Sequence, residues 1–174
     1  MNTIASPSQQ VQTACPLCGS KQIRSEFEKF GYTVARCTEC QFLHVNPTPS
    51  EEELRQHYQN MAYFEGEEEQ GYRNYADMRK ALIPHFERRF GRIRAEKGAS
   101  GRLLDFGCAA GYFLEIVKKA GWAIAGVELS EEMGKAASEL LGIPICTSLQ
   151  QLPEPRFDAI TLWEVIEHVP KPVE

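Results

Sequence analysis

The spacing of apolar residues changes twice along this chain. Before residue 50 the apolar positions are scattered among turn formers and cysteines. Leu54, His57, Tyr58 and Met61 then recur at i, i+3, i+4 and i+7, one face of a helix, after Ser50 and Glu53 at capping-box spacing. A second helical stripe starts at Tyr72 and continues through Tyr75, Met78, Leu82, Phe86, Phe90 and Ile93; Pro84 inside it is expected to kink or split the helix. After the loop "EKGASG" (96–101) the period alternates. "RLLDF" (102–106) reads as a short buried strand, and Phe113, Ile116, Val117 and Ala120 share a helical face that Lys118, Lys119 and Gly121 close. "AIAGVEL" (123–129) reads as a second strand. Ser130 caps a helix with Glu131 and Glu132 in its first turn, ending at Gly142 before Pro144. "PICT" is a candidate third strand and "FDAITLW" (157–163) a fourth. Strands separated by helices imply an α/β fold with a parallel sheet.

Composition narrows the class. The chain has 174 residues, enough for one medium domain or a small module plus part of a larger one, and is 43% hydrophobic and 25% charged. The net charge of −5, from 24 acidic and 19 basic side chains, argues against a non-specific nucleic-acid binder. No stretch approaches the roughly 18 apolar residues of a membrane span. The N-terminal "MNTIASPSQQVQTA" is polar and lacks an apolar secretion core, so a cytoplasmic location with reduced thiols is expected.

Cys15, Cys18, Cys37 and Cys40 follow the pattern C-x2-C-x18-C-x2-C. Each CxxC turn offers two thiolates and the spacer is long enough for a hairpin that brings the pairs together, as tetrahedral zinc requires. Two disulfides suit a reducing compartment poorly, and a thioredoxin-like redox pair needs one CxxC on a βα unit. Four thiolates leave no open position, so the zinc is read as structural, holding a module too small to fold without it. Cys108 and Cys146 fall outside the spacing and read as packing residues.

The stretch "LLDFGCAAGYFL" (103–114) runs from a strand through a small-residue turn into a helix, the arrangement of a polar-ligand site at the carboxyl edge of a parallel sheet. Its loop, Gly107-Cys108-Ala109-Ala110-Gly111, is neither G-x-G-x-x-G nor a Walker loop with G-K-[ST]. Asp105 precedes the loop, and Glu128 ends the next strand, where a carboxylate can accept both hydroxyls of a ribose. The ligand implied is an adenosine-type nucleoside without pyrophosphate, carrying a cationic or zwitterionic part near Asp105. The blander readings are that Gly107 and Gly111 are turn glycines and that Asp105 caps the following helix.

"LLDFGCAAGYFLEIVKKAGWAIAGVELS" followed by "FDAITLWEVIEHVPKP" resembles the class I S-adenosylmethionine-dependent methyltransferases, in particular those whose catalytic domain follows an N-terminal zinc ribbon. The resemblance implies a Rossmann-like parallel sheet, here the first half of a seven-stranded methyltransferase fold, preceded by a zinc ribbon and a helical segment. The corresponding division is a disordered tail at 1–13, the ribbon at 14–48, a helical cap or linker at 49–97 and a partial cofactor-binding domain at 98–174. The resemblance assigns Asp105, Gly107, Cys108, Ala109 and Gly111 to the methionine end of S-adenosylmethionine, Glu128 to the ribose and Leu129 and Ser130 to the adenosine. Backbone near Ser148 and Leu149 would stand where the family often has an acidic contact to adenine. Trp163 and Glu164 would face the methyl donor and acceptor. About four of seven strands are supplied, so the sequence is expected to be a C-terminally truncated form whose acceptor-binding residues are missing.

Glu164, Glu167 and His168 form E-x-x-E-H after the fourth strand. Glu164 and His168 are the candidate catalytic pair, with His168 as general base toward an acceptor hydroxyl; a divalent cation on the three side chains and plain packing by His168 are the other readings. The aromatic cluster Tyr58, Tyr63, Phe64, Tyr72 and Tyr75, with Arg73, reads as a lid over the cofactor or as helical packing. The reading is an enzyme moving a methyl group to a small-molecule acceptor, such as a sugar, polysaccharide or lipid or quinone precursor, with no membrane or nucleic-acid partner. Its alternatives are an RNA methyltransferase gripping RNA with the ribbon, and a non-catalytic zinc- and cofactor-binding fragment. Lys21, Arg24, Lys29 and Arg36 of the ribbon are offset by Glu26, Glu28 and Glu39, which ranks the RNA reading lower.

Overall fold

The computed structural model describes residues 12–29, 32–50, 52, 54, 56, 75–153, 156–169 and 173. The expected helix face at 54–61, most of the aromatic cluster and the acidic "EGEEEQG" turn lie largely outside these residues. The chain divides into two compact units, the first made of the cysteine-bearing segment up to Leu54 together with the residues from Ile166 on, Glu167 and His168 among them, and the second of Arg55–Val165.

In the first unit, β1 (Ile23–Lys29), β2 (Tyr32–Cys37) and β3 (Leu43–Val45) form an antiparallel meander in the order β1-β2-β3. The β1–β2 register shifts between Ser25 and Phe27. The residue skipped there, Glu26, is held by the Arg24 and Arg36 side chains at 3.2 and 3.1 Å. Among the described residues up to 50, only Cys15, Ala35 and Cys37 are fully buried. An apolar core this small among the described residues offsets little of the entropy of ordering the hairpin.

The second unit runs α1 (Tyr75–Lys97), β4 (Arg102–Phe106), α2 (Tyr112–Lys119), β5 (Ala123–Val127), α3 (Glu131–Leu141) and β6 (Ala159–Thr161). Its sheet is parallel, in the order β5-β4-β6. The core forms where Phe86 and Phe90 of α1 meet Phe113, Leu114 and Val117 of α2 and Leu141 of α3 over Leu103. Ring contacts pin it: Phe86 lies 5.5 Å from Phe113, and Phe90 lies edge-on to Trp122 at 5.5 Å. Trp122 also donates from Nε1 to the Ala99 carbonyl at 3.0 Å. Arg79 of α1 reaches Glu115 of α2 at 2.6 Å.

Several expectations hold in detail. α2 stops at Lys119 with Gly121 in the left-handed region. α3 starts at a Ser130 cap, whose Oγ accepts the Met133 amide at 3.4 Å, and ends at Gly142 with φ 63°. Three expectations are corrected. Pro84 does not split α1, which runs as one element; Leu82, Phe86, Phe90 and Ile93 bury on the core on both sides of the proline, and that packing outweighs the lost backbone bond. "PICT" contributes a single parallel bridge, Val127 to Cys146, since Pro144 removes a donor. The second and fourth strands are shorter than 123–129 and 157–163: β5 ends at Val127, where Glu128 turns back toward the loop, and β6 pairs only along Leu103–Asp105.

Candidate functional site

The site is built where β4 and β5 end. The amides of Gly107 and Cys108 both donate to the Val127 carbonyl, at 2.8 and 3.1 Å, and tie the loop to the end of β5. Gly107, Ala109 and Gly111 have φ of 77°, 45° and 79°. Three left-handed residues at alternate positions turn the chain from β4 into α2 within five residues. Both glycines are also crowded: a Cβ on Gly107 would lie 2.5 Å from Val165 Cγ2, and one on Gly111 2.9 Å from Leu141 Cδ1. They act as turn glycines, and their smallness lets Val165 and Leu141 pack against the loop. Ala109 adopts the left-handed conformation with a methyl group, so its position asks for glycine and is strained without it.

Glu128 is buried, and both its oxygens are engaged. Oε2 accepts the Ala109 amide and Oε1 the Ser130 amide, each at 2.8 Å. A carboxylate has about four acceptor positions, so room remains for hydroxyl donors. Burial nevertheless pushes its pKa up, against the pull of the Ser130, Ala109 and Leu129 amides.

Asp105 is 1% exposed and accepts from the Thr161 hydroxyl at 2.7 Å. Burial pushes its pKa up to about 8, with a further contribution from the nearby Glu128 charge and an opposing one from Thr161. Asp105 is not a helix cap: the α2 cap position is Gly111, with no side-chain bond. Two buried carboxylates therefore stand together, and among the described residues no ion pair offsets either. A cation placed between them removes that penalty.

The remaining candidates separate. Cys108 is buried in the core and burial raises its pKa, leaving an inert thiol that packs behind the loop. Ser130 is buried and committed to capping α3, while Leu129 is exposed. Trp163 lies edge-on to Phe113 at 5.4 Å, under the Arg89 guanidinium at 4.4 Å; its Nε1 is buried with no hydrogen-bond partner among the described residues. Glu164 has φ 54°, is exposed, and lies 3.9 Å from Arg89. Glu167 and His168 are exposed in a 3-10 turn, Ile166–His168. Among the described residues the one group of three or more side chains close enough to share a metal ion is the cysteine quartet, so Glu164, Glu167 and His168 form no such cluster. Thr161 and Arg89 were not singled out by the sequence; Thr161 lies in the strand read from "FDAITLW", but only the register sets it against Asp105.

The four cysteine sulfurs lie within 4.8 Å of one another, with Cys15–Cys40 and Cys18–Cys37 at 3.6 Å. Zinc–sulfur bonds of about 2.3 Å in a tetrahedron need sulfurs about 3.8 Å apart, so the donor set fits that ion. The two knuckles repeat one another: Gly19 donates to the Cys15 carbonyl and Gln41 to the Cys37 carbonyl, and both turn residues are left-handed. The amide of Cys40, with that of Glu39, lowers the Cys37 thiol to about 7 despite burial.

A parallel sheet whose first loop turns on left-handed residues, flanked by buried carboxylates at two strand ends, is an α/β arrangement with the polar groups to hold a nucleoside. The chain belongs to the methyltransferase domain family, whose profile matches residues 74–174. It is similar to ubiquinone biosynthesis O-methyltransferases: 35% identical over 99 residues to that of Rhodopseudomonas palustris (strain BisB18), covering 53% of this chain and 38% of that protein. The counterpart in Alkalilimnicola ehrlichii is 32% identical over 80 residues, covering 41% of this chain and 32% of that protein. The chain thus spans well under half the length of these relatives. Among solved structures, magnesium protoporphyrin IX methyltransferase from Synechocystis PCC 6803 with bound SAM superposes with a TM-score of 0.50 at 20% identity, over 71% of this chain and 67% of that one; that likeness is one of fold. No described helix is long and apolar enough to cross a membrane.

Proposed function

We propose that the α/β unit binds S-adenosylmethionine and serves a methyl transfer to a small-molecule acceptor. The observation that carries this reading is the buried Asp105–Glu128 pair around the left-handed loop, in a chain of the methyltransferase domain family. The cofactor supplies an activated methyl group on a sulfonium. Glu128 accepts the ribose hydroxyls while still holding the loop. Asp105 faces the cationic methionine end, with Gly107, Ala109 and Gly111 giving it backbone contact. Cys108 backs the loop from the core, Leu129 and Ser130 border the adenosine, and Trp163 borders the transferring methyl. Glu164 stands on the acceptor side of this unit. With that cofactor bound, methyl transfer would go by in-line displacement from the sulfonium to the acceptor, and positioning would be the main demand on the protein.

The named relatives support a hydroxyl acceptor on a quinone precursor, within the wider class of sugar, polysaccharide and lipid precursors. The division into ribbon (14–48), helical cap (49–97) and cofactor half (98–174) belongs to the same reading, as does a structural zinc on Cys15, Cys18, Cys37 and Cys40. Calorimetric titration of the full chain with S-adenosylmethionine tests it. Binding that weakens at least tenfold in Asp105→Ala is expected, and no heat of binding from the folded, zinc-loaded chain overturns it.

A further inference from the structure

The parallel register of β4 and β6 sets Asp105 directly beside Thr161. The Thr161 Oγ1 lies 2.7 Å from Asp105 Oδ1 and 3.3 Å from the Leu104 carbonyl oxygen. Thr161 is 6% exposed, so water does not compete for its hydroxyl. A hydroxyl has one proton to donate and two lone pairs to accept with. Two arrangements therefore satisfy this triad. With Asp105 ionised, Thr161 donates to its carboxylate. With Asp105 neutral, the acid proton is donated to Thr161 Oγ1, and Thr161 turns its own proton to the Leu104 carbonyl. The side chains stay in place in both.

We propose that Thr161 is a positioning residue of the cofactor site, whose hydroxyl keeps the Asp105 carboxyl aimed at the cationic part of the bound methyl donor by donating to it when ionised and accepting from it when neutral. The inference rests on the reading of this site as an S-adenosylmethionine pocket. The titratable groups facing Asp105 are Glu128 from the end of β5 and the Cys108 thiol from the loop. Either one, when charged, opposes ionisation of Asp105. Among the described residues Thr161 is the group that favours the ionised form, so its loss removes that donor from the carboxylate.

Thr161→Val keeps the shape and removes the hydroxyl; Thr161→Ser keeps the hydroxyl. Binding of S-adenosylmethionine and of adenosine to the full chain, measured by calorimetry from pH 6 to pH 10, separates the roles. Thr161→Val is expected to bind S-adenosylmethionine about tenfold more weakly at pH 7. The deficit should shrink toward high pH, because the binding curve moves to higher pH with Asp105. Thr161→Ser should restore wild-type binding, and adenosine, which lacks the methionine part, should bind all three chains alike. Should the valine variant melt below the assay temperature, Thr161→Ala carries the same comparison. Equal affinities of wild type and valine variant across the pH range would overturn the proposal. Equal losses for both ligands with no movement along the pH axis would do the same, since that is what a merely structural role gives. A wild-type chain that binds neither ligand would instead bring down the site reading itself, and this inference with it.

Discussion

The amide of Ala109 donates to Glu128 Oε2 at 2.8 Å, so the side chain that ends β5 fastens the loop that follows β4. The other carboxylate oxygen takes the Ser130 amide at the start of α3. One buried group thus sets the mutual position of the loop, the end of β5 and α3, before any ligand arrives. Glu128→Gln places an amide N–H2 opposite one of these backbone donors and leaves that donor unpaired. A loss of about 1–3 kcal/mol in urea unfolding is expected, accompanied by weaker nucleoside binding. Undiminished stability with weakened binding would limit Glu128 to the ligand.

Position 109 is tested by contrast with position 107. Ala109→Gly relieves a left-handed alanine, a gain of about 1 kcal/mol partly offset by the entropy of glycine in the unfolded chain. A melting temperature equal to or a few degrees above wild type is expected, with only a modest change in cofactor affinity. Gly107→Ala adds a Cβ at 2.5 Å from Val165 and strains a φ of 77°, so a loss of about 2 kcal/mol or more is expected in the same melt.

Asp105 makes stability depend on pH in a direction opposite to that of a salt-bridged carboxylate. Its pKa is raised from 3.8 to about 8 in the folded chain, so between those values the folded state keeps a proton that the unfolded state has released. Stability therefore falls as pH rises from about 4 to about 8, by at most about 6 kcal/mol from this group. Asp105→Asn should flatten that slope in pH-dependent chemical denaturation, since the amide oxygen still accepts from Thr161. Binding of a cationic ligand runs the other way and strengthens as pH rises through the same window. An identical slope in the asparagine variant would show that the burden lies elsewhere.

The cysteine quartet carries the ribbon. With only Cys15, Ala35 and Cys37 fully buried there among the described residues, a chelator should unfold the meander and leave the α/β unit folded. Cys37→Ser should lower the zinc content measured by mass spectrometry below one per chain, while Cys146→Ser should leave it unchanged.

How much of this was legible beforehand differs by residue. Ser130, Gly121 and Gly142 could be placed from the sequence because caps and stops act through the nearest few backbone groups. The cysteine spacing was equally local. Pro84 misled because its cost to a helix is local, whereas Phe86 and Phe90, which bury the same helix on the core, answer it through tertiary contacts. The third strand misled for the same reason: a strand exists by its partner, and "PICT" finds only one bridge.

By itself, the sequence determined the alternation of strands and helices, the four paired thiols, the small-residue loop and the two acidic residues that flank it, since each is a matter of residue type and short spacing. Only the tertiary structure decided that Thr161 meets Asp105, that Glu128 holds the loop, and that Val165 and Leu141 crowd the glycines. Those facts follow from strand register and side-chain packing between segments that lie dozens of residues apart, and no local pattern encodes them.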